Sequence, residues 1–294
     1  MRDTFIKHLV NSAIKNKKIF LIVGDLGFSV IEDFQERFPD RFLNAGVAEQ
    51  NMAGIAAGLA SEGYHVFIYS IANFPTFRCA EQIRNDIDYH NLPVTVVSVG
   101  GGLSYGNLGY SHHAVQDYGL MRLFPNMSIY APGDPLETLS CLNCILSNPS
   151  PSYLRLGRSG EETFHKKLPK IQPGKWVKLV ESKNKRILLS TGAALSASIK
   201  LHQSSTYNAY GIYTLPAWGM KHKQNQWSQI SKFEHIVTVE DHLQDCGFGS
   251  WLLESVQKKS ALSNRIDSIY LDSKVCGIVG SQSYLNNLGG LYER

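Results

Sequence analysis

The stretch from residue 41 to residue 63, R-F-L-N-A-G-V-A-E-Q-N-M-A-G-I-A-A-G-L-A-S-E-G, is the sequence feature that most constrains the fold. It predicts a short strand over residues 42–45, a tight turn at Gly46 and a helix over residues 48–61. The helix has almost no large side chains, and it contains Gly54 and Gly58. Because glycine destabilises a helix by about 1 kcal/mol relative to alanine, this pattern indicates that another backbone packs closely against the helix.

Glu49 is the one acidic residue in the first turn of this predicted helix. The positive end of the helix dipole favours a carboxylate there, so an ordinary acid at a helix start is one interpretation. The other interpretation is a buried, functional carboxylate that a rigid element presents where two subunits meet.

The rest of the chain alternates short apolar strand patterns with helical patterns, which predicts parallel sheets flanked by helices. A length of 294 residues suggests two domains. We therefore expect two doubly wound α/β domains, one over residues 1–160 and a smaller one over residues 175–294. The polar segment between them, which contains glycine and proline, is the predicted linker.

Charge and apolar content exclude several classes of function. The net charge is +4, and the short basic runs at 15–18 and 183–186 favour solvated faces over a nucleic-acid surface. No apolar run approaches the ~20 residues of a membrane span, and the N-terminus lacks the apolar region of a secretory signal, so we expect a cytoplasmic protein without a membrane contact. Cys141 and Cys144 have C-x-x-C spacing, but no second pair accompanies them, which favours buried thiols over zinc.

Several ordered motifs resemble the transketolase family of thiamine-diphosphate enzymes, and the resemblance covers nearly the whole chain. These motifs are I-V-G-D-L-G-F-S, F-P-D-R-F, G-V-A-E-Q-N-M-A-G-I-A-A-G-L-A, A-E-Q-I-R-N-D, L-M-R-L-F-P-N-M and V-E-D-H. The resemblance implies the C-terminal half of a transketolase, with a pyrimidine-binding domain followed by a C-terminal domain. It also implies a partner chain that supplies the diphosphate-binding domain and holds Mg²⁺, since the G-D-G…N motif for that metal does not occur in this sequence.

The resemblance assigns five residues to the cofactor. Glu49 matches the glutamate that binds a ring nitrogen of the aminopyrimidine and stabilises its protonated form, while the cofactor carries the difficult chemistry. Phe74 and Phe77 match aromatic residues that stack on the pyrimidine, and Ile71 stands where some relatives have a third aromatic residue. Asp25 matches an acid that borders the cofactor. Without the resemblance, the two phenylalanines would be ordinary core residues at a strand-to-helix corner.

The glycine-rich segment 99–114, here called the substrate loop, is where the resemblance locates the substrate. His112 matches a histidine that contacts substrate and acts in proton transfer, a role that suits imidazole near neutral pH. Gly100 replaces a histidine, and Leu108 replaces an aspartate that binds a sugar hydroxyl. Because leucine cannot accept a hydrogen bond, these departures predict a substrate other than the ordinary pentose phosphates. The alternative for the segment is a plain flexible turn.

The resemblance also assigns some residues of this chain to binding a substrate phosphate. Arg158 matches a phosphate-binding arginine, Arg155 lies three residues before it, and Ser29 matches a second phosphate contact. The planar guanidinium suits this task because it can pair with two oxygens. A salt bridge is the alternative, and it is weighed equally for Arg155. The segment 239–250 is assigned to assembly rather than to chemistry.

We therefore predict a transferase subunit that moves a two-carbon ketol unit between phosphorylated or modified sugars, in an α2β2 complex with its partner chain. Three alternatives stay open. The first two are a β subunit of a 2-oxoacid dehydrogenase E1 component and a deoxyxylulose-phosphate-synthase-like enzyme. The third is a non-catalytic regulatory subunit of the same fold, which Gly100 and Leu108 favour. The stretches S-H-H-A-V-Q-D and A-E-Q-I-R-N-D favour a transketolase over the first alternative.

Overall fold

A computed structural model describes residues 1–292, and these form two sheets. In this part of the chain the strands are β1 (Ile19–Val23), β2 (Phe42–Asn44), β3 (His65–Ile71), β4 (Val94–Val99), β5 (Ser128–Tyr130), β6 (Ser152–Leu156), β7 (Val177–Val180), β8 (Arg186–Ser190), β9 (Gly211–Thr214), β10 (Ala217–Trp218), β11 (His235–Leu243) and β12 (Ile266–Leu271).

Helices pack on both sheets. They are α1 (Arg2–Lys15), α2 (Glu32–Arg37), α3 (Glu49–Ser61), α4 (Asn73–Phe77), α5 (Ala80–Gln82), α6 (Asp117–Met121), α7 (Pro135–Ser147), α8 (Leu195–His202), α9 (Trp227–Ile230), α10 (Phe248–Glu254), α11 (Ser260–Ser263) and α12 (Gln282–Leu288). A π-helix, Ile83–Asp88, continues α5. Among the described helices, none combines the length and the apolar character needed to cross a membrane.

The first sheet has the strand order β10-β5-β6-β4-β3-β1-β2. All neighbouring strands are parallel except β10, which pairs antiparallel with β5. Alternate residues of β3 face opposite layers, since Val66 and Ile68 pack in the core beside α3 whereas Phe67 and Tyr69 pack in the core beside α1. The second sheet has the order β12-β11-β8-β9-β7, with β7 antiparallel. The predicted α/β fold with two wound sheets is confirmed.

The main difference from the sequence prediction lies after β3. The pattern predicts one helix over residues 77–89, but helix α4 already begins at Asn73, and a π-helix follows α5. Pro75 lies in the first turn of α4, where no backbone N–H is needed, so it is compatible with the early start. In the π-helix, the N–H of Tyr89 donates to the carbonyl of Arg84, five residues back, at 3.1 Å.

The two sheets share a core at their junction. Strand β10 follows β9 of the second sheet, yet it joins the first. Its Trp218 is fully buried, with ring centroids 5.3 Å from Tyr118 and 5.2 Å from Trp251. The indole N–H of Trp218 donates to the Thr191 hydroxyl at 3.0 Å. One hydrophobic core therefore includes side chains from both sheets.

The predicted linker folds back onto the first sheet's layer of helices. Asp134, the N-cap of α7, accepts hydrogen bonds from the backbone N–H groups of Phe164 and His165, each at 2.9 Å. Its carboxylate also lies 2.9 Å from Nδ1 of His165. The linker is thus fixed at its centre by one buried carboxylate.

Candidate active site

Glu49 begins α3 beside the carboxyl ends of the parallel strands, the edge where α/β sheets bind ligands. Its side chain is 4% exposed and lines a cavity of about 470 Å³ together with its helix neighbours and Arg78. Gly24, which follows β1, lies beneath it. A Cβ at Gly24 would come within 3.8 Å of the Glu49 side chain and 3.6 Å of the Ser70 hydroxyl. That buried hydroxyl has no hydrogen-bond partner within residues 1–292.

Arg78, which the sequence analysis did not identify, pairs with this carboxylate. Its Nη1 lies 2.8 Å from Oε1 of Glu49, and its Cζ lies 4.1 Å from the ring centroid of Phe74. A planar cation thus contacts a buried carboxylate and an aromatic face at once. In the sequence Arg78 directly follows Phe77, but nothing in that pattern indicated its contact with Glu49.

Helix α4 presents the predicted stacking residues to different surroundings. The ring of Phe74 is partly buried and meets His112 edge-on, with centroids 5.2 Å apart. Phe77, at the other end of the helix, is 47% exposed. Ile71 is the last residue of β3 and is partly buried, one residue before the α4 N-cap. The structure therefore brings Phe74 to His112 directly and to Glu49 through Arg78, and it leaves Phe77 at the surface of this chain.

The substrate loop is closed by an antiparallel bridge between Gly102 and Ala114, with both N–H···O distances at 2.9 Å. His112 sits in a short helical turn, and its Nδ1 lies 2.9 Å from the Ser111 hydroxyl. Burial, followed by the charges of His113 and Arg78, lowers the pKa of His112. Its imidazole is therefore neutral at pH 7, which suits a group that accepts a proton.

Tyr105 is a second residue that the sequence analysis did not identify. Gly100 has φ +83°, and a Cβ there would lie 2.1 Å from the Tyr105 ring. The ring is 6.4 Å from that of His112, and the guanidinium carbon of Arg158 lies 5.0 Å from its centroid. Tyr105 thus fills the space beside Gly100 and connects two predicted substrate residues. Leu108, three residues further on, is 49% exposed.

The remaining predicted residues lie on exposed turns. Arg158 donates to the carbonyl of Ser104 at 3.4 Å and lines a cavity of about 760 Å³ between the two sheets. Asp25 and Ser29 follow β1 and have positive φ values of 54° and 64°. Asp25 is held by hydrogen bonds to the Asn44 side chain at 3.0 and 3.1 Å.

The prediction that Arg155 binds substrate phosphate is wrong. Its side chain is 2% exposed, and it pairs with Asp117 and Asp241, each at 2.7 Å. The guanidinium also donates to the carbonyl of Ala114 at 2.8 Å and packs over the ring of Tyr118. Because every nitrogen of the guanidinium already donates inside the protein, Arg155 has a structural role. The equally weighted salt-bridge interpretation was nearer, although the pairs are buried rather than on the surface.

A carboxylate at a helix start, an aromatic neighbour and a histidine on a glycine-rich loop thus meet at the carboxyl edge of a wound sheet. The family described as the transketolase pyrimidine binding domain matches residues 1–160. This chain belongs to the transketolase family, as its motifs predicted, and it is a subunit of a thiamine-diphosphate-dependent transferase.

Three comparisons place the chain within the family. It is 29% identical to a subunit of the apulose-4-phosphate transketolase of Phocaeicola vulgatus, covering 87% of this chain and 83% of that one. It is 31% identical to the 1-deoxy-D-xylulose-5-phosphate synthase of Aquifex aeolicus, covering 98% of this chain but 46% of the synthase. A solved structure described as a split gene transketolase, an inactive beta4 tetramer, superposes with a TM-score of 0.83 at 27% identity, covering 99% of this chain and 93% of that one.

Proposed function

We propose that this chain is the pyrimidine-binding subunit of a two-subunit transketolase that acts on a modified or phosphorylated sugar. The observation that carries the proposal is the position of Arg78. Its planar, cationic guanidinium bonds to Glu49 and stacks on Phe74. A protonated aminopyrimidine is also planar, cationic and a hydrogen-bond donor, so the residues present fit that ring.

When bound, thiamine diphosphate supplies the carbon nucleophile that breaks and forms the bond next to a carbonyl. In this chain, Glu49 would hold a proton at the ring nitrogen of the pyrimidine, and the rigid start of α3 would fix its direction. Phe74 and Phe77 would orient the ring by stacking, which contributes ~0.5–1.5 kcal/mol beyond area burial. Ile71 and Asp25 would border the same ring.

On the substrate side, His112 would contact the sugar and move a proton through its neutral imidazole. Arg158 and Ser29 would bind a terminal anionic group. Gly100 and Leu108 would offer no side-chain hydrogen-bonding group at the two positions where transketolases have a histidine and an aspartate. These residues support a sugar that lacks the hydroxyl bound by that aspartate or carries a bulkier group, and the likeness to an enzyme named for apulose-4-phosphate supports the same class.

We further propose that the partner chain is a transketolase subunit of the diphosphate-binding type, that it holds Mg²⁺, and that the two form an α2β2 complex. The Phocaeicola vulgatus relative is named as one subunit of its transketolase, and the likeness to it supports a second chain here. The likeness to a split gene transketolase whose beta4 tetramer is inactive supports the need for a partner. Binding of the cofactor by this chain alone is expected to be weak.

The test is Glu49→Gln in the complex reconstituted with the partner, with hydrogen–deuterium exchange at C2 of the bound cofactor as the direct measurement. Glutamine keeps the shape of the side chain but cannot provide an ionisable carboxyl. We expect exchange to slow by at least about 100-fold, which corresponds to about 3 kcal/mol in the barrier.

The matched control is Glu81→Gln, which changes an exposed glutamate in α5 and should leave exchange unchanged. Exchange at the wild-type rate in the Glu49→Gln complex would remove Glu49 from this role. A wild-type complex without any exchange would favour the non-catalytic alternative instead.

A further inference from the structure

The second sheet and the residues after it hold the substrate loop at three points. The N–H of Leu243, at the end of β11, donates at 3.0 Å to the carbonyl of Val115, the residue directly after this loop. The N–H of Gly280 donates to the carbonyl of Gly106 at 3.2 Å. The third point is an ion pair, because Asp241 of β11 lies 2.7 Å from the guanidinium of Arg155.

Arg155 transmits this ion pair to the loop. Its Nη1 pairs with Asp241, and its Nη2 donates to the carbonyl of Ala114 at 2.8 Å. The same carbonyl accepts from the N–H of Gly102, in the bridge that closes the loop. The second carboxylate oxygen of Asp241 lies against Gly102, where a Cβ would come within 2.3 Å of it. Asp241 and Arg155 together therefore define where the closing bridge lies.

The other side of the loop is held by the helix that carries Phe74. The side-chain amide of Asn73, the first residue of α4, donates to the carbonyls of His113 at 2.7 Å and Ser111 at 3.3 Å. His112 therefore lies between two anchors of the loop, namely Asn73 on the side of Phe74 and Asp241 on β11. A change at either anchor should therefore shift its imidazole.

We propose that Asp241 is a positioning residue. Acting through Arg155, it fixes the substrate loop, and with it His112 and Tyr105, relative to Glu49. This inference rests on the proposed function of that site. It gives the segment 239–250 a part in turnover, whereas the sequence analysis assigned it to assembly.

The variant that tests this role is Asp241→Asn, which keeps the shape of the side chain and removes its charge. The matched control is Glu254→Gln. Glu254 of α10 forms another ion pair between the two halves of the protein, with Arg122, the residue after α6. Arg122 also donates to the carbonyl of Gly247 at 2.9 Å. The other partners of this second pair, Ser250 and Lys223, also lie outside the substrate loop, so the control separates positioning of the loop from general adhesion between the two halves.

The first measurement is amide hydrogen exchange of the intact chain, which needs neither partner nor substrate. Asp241→Asn should accelerate exchange of amides in residues 100–114 by about tenfold or more, because the loop opens more often. The amides of α4 and of the first turn of α3 should keep their wild-type rates. Glu254→Gln should leave the loop unchanged.

The second measurement is made on the reconstituted complex. Asp241→Asn should lower kcat/KM by about tenfold to 100-fold, since small misplacements of a reacting group have effects of this size. Exchange at C2 of the bound cofactor should stay at the wild-type rate, because Glu49 is untouched. A variant that is merely less stable would change kcat/KM and C2 exchange together, so it would not separate these two readouts.

If Asp241→Asn does not fold, Arg155→Lys replaces it. Lysine keeps the positive charge beside Asp241 but lacks the planar fork with which Arg155 reaches both Asp241 and the carbonyl of Ala114. The inference is overturned if these variants leave loop exchange and kcat/KM at wild-type values, or if Glu254→Gln reproduces the loss. A wild-type complex without C2 exchange would instead reject the proposed function, and loop exchange in the chain alone would still test the anchor.

Discussion

At the scale of single residues, Arg78 makes the contacts that we propose for the pyrimidine ring. Its guanidinium already bonds to Glu49 and covers Phe74, so it must move before another planar cation can make these contacts. Arg78→Ala should therefore tighten binding of thiamine diphosphate to the complex by about two- to fivefold, since half-exposed ion pairs are worth ~0.2–1 kcal/mol. Isothermal titration calorimetry measures this difference.

Arg84→Ala is the control, because it removes an exposed arginine of the nearby π-helix that contacts Asn85 rather than Glu49. Weaker binding in Arg78→Ala would show that the guanidinium helps the cofactor rather than competing with it.

Leu108 is expected to set substrate choice. Leu108→Asp restores the acceptor that transketolases use for a sugar hydroxyl, and the position is exposed enough for a carboxylate to stay hydrated. The variant should gain activity on ordinary pentose phosphates by about tenfold or more relative to the wild type. Steady-state kcat/KM values for both substrate classes provide the measurement. Efficient use of ordinary pentose phosphates by the wild-type complex would contradict this expectation.

Motifs indicated the residues whose proposed role depends on their own chemistry, and missed those whose proposed role depends on neighbours. Glu49 and His112 could be found because their residue types are informative within a short pattern. Arg78 and Tyr105 could not, since an arginine after a helix and a tyrosine in a glycine-rich loop are informative only once Glu49 and Gly100 lie beside them. Arg155 was misassigned because spacing does not report that Asp117 and Asp241 bury it.

At the scale of elements, helix α3 carries two glycines on a face that has no neighbour among the described residues of this chain. Both glycines are exposed, and a Cβ at either would meet no atom within 4 Å. Nothing in this part of the chain therefore requires them. We propose that a second chain packs against this helix in the assembled enzyme and that this packing is the reason for the two glycines.

Replacing both glycines with alanine should stabilise the isolated chain, by about 1 kcal/mol per site, because alanine favours the helix. Gly58→Leu should instead weaken self-association, since its side chain blocks close approach. Thermal unfolding measures the first effect, and light scattering over a concentration series measures the second. Ser147→Leu, at the exposed end of α7, is the control for added apolar surface. Unchanged association in Gly58→Leu would exclude this face from the interface.

Elements with a clear pattern of apolar residues could be predicted from the sequence. Elements that form only by pairing with a strand distant in the sequence could not. The sequence pattern predicts strands over residues 65–71, 94–99, 152–156 and 186–190. Strands β3, β4, β6 and β8 occupy these residues, because each is an apolar run between turn signals. Strand β10 has two residues and exists only because β5 offers an edge. The π-helix after α5 was missed for a related reason, since a single turn with hydrogen bonds to the fifth residue leaves almost no mark on the apolar pattern.

At the scale of the whole molecule, the docked linker makes stability depend on pH. Burial alone would lower the pKa of His165, but its hydrogen bond to Asp134 and the nearby carboxylates raise it. Burial also raises the pKa of Glu137, which lies beside this pair, to about 7. Groups whose pKa is raised by folding stabilise the protein at low pH and lose this effect as pH rises through the folded value. We therefore expect the docked linker to contribute more stability at pH 5.5 than at pH 8.5.

His165→Gln should lower Tm at pH 5.5 by at least about 2 °C more than at pH 8.5. The depressed pKa of Asp134, about 2, contributes nothing to this difference, since Asp134 is ionised at both values. Differential scanning fluorimetry at the two values is sufficient, with the exposed His90→Gln as control. An equal loss of Tm at both pH values would show that the imidazole is not charged in the folded linker.

Strand β10 also limits how such a chain can be divided in the course of evolution. We propose two domains, residues 1–160 and 175–294. Strand β10 and its Trp218 belong to the second domain in sequence, but β10 pairs with β5 in the sheet of the first. A recombination event between the domains would leave β5 with an unpaired edge, which invites aggregation. It would also remove an indole from a core that both halves build. The two domains should therefore be inherited together, and chimaeras that exchange the second domain should fold only when Trp218 and its contacts travel with it.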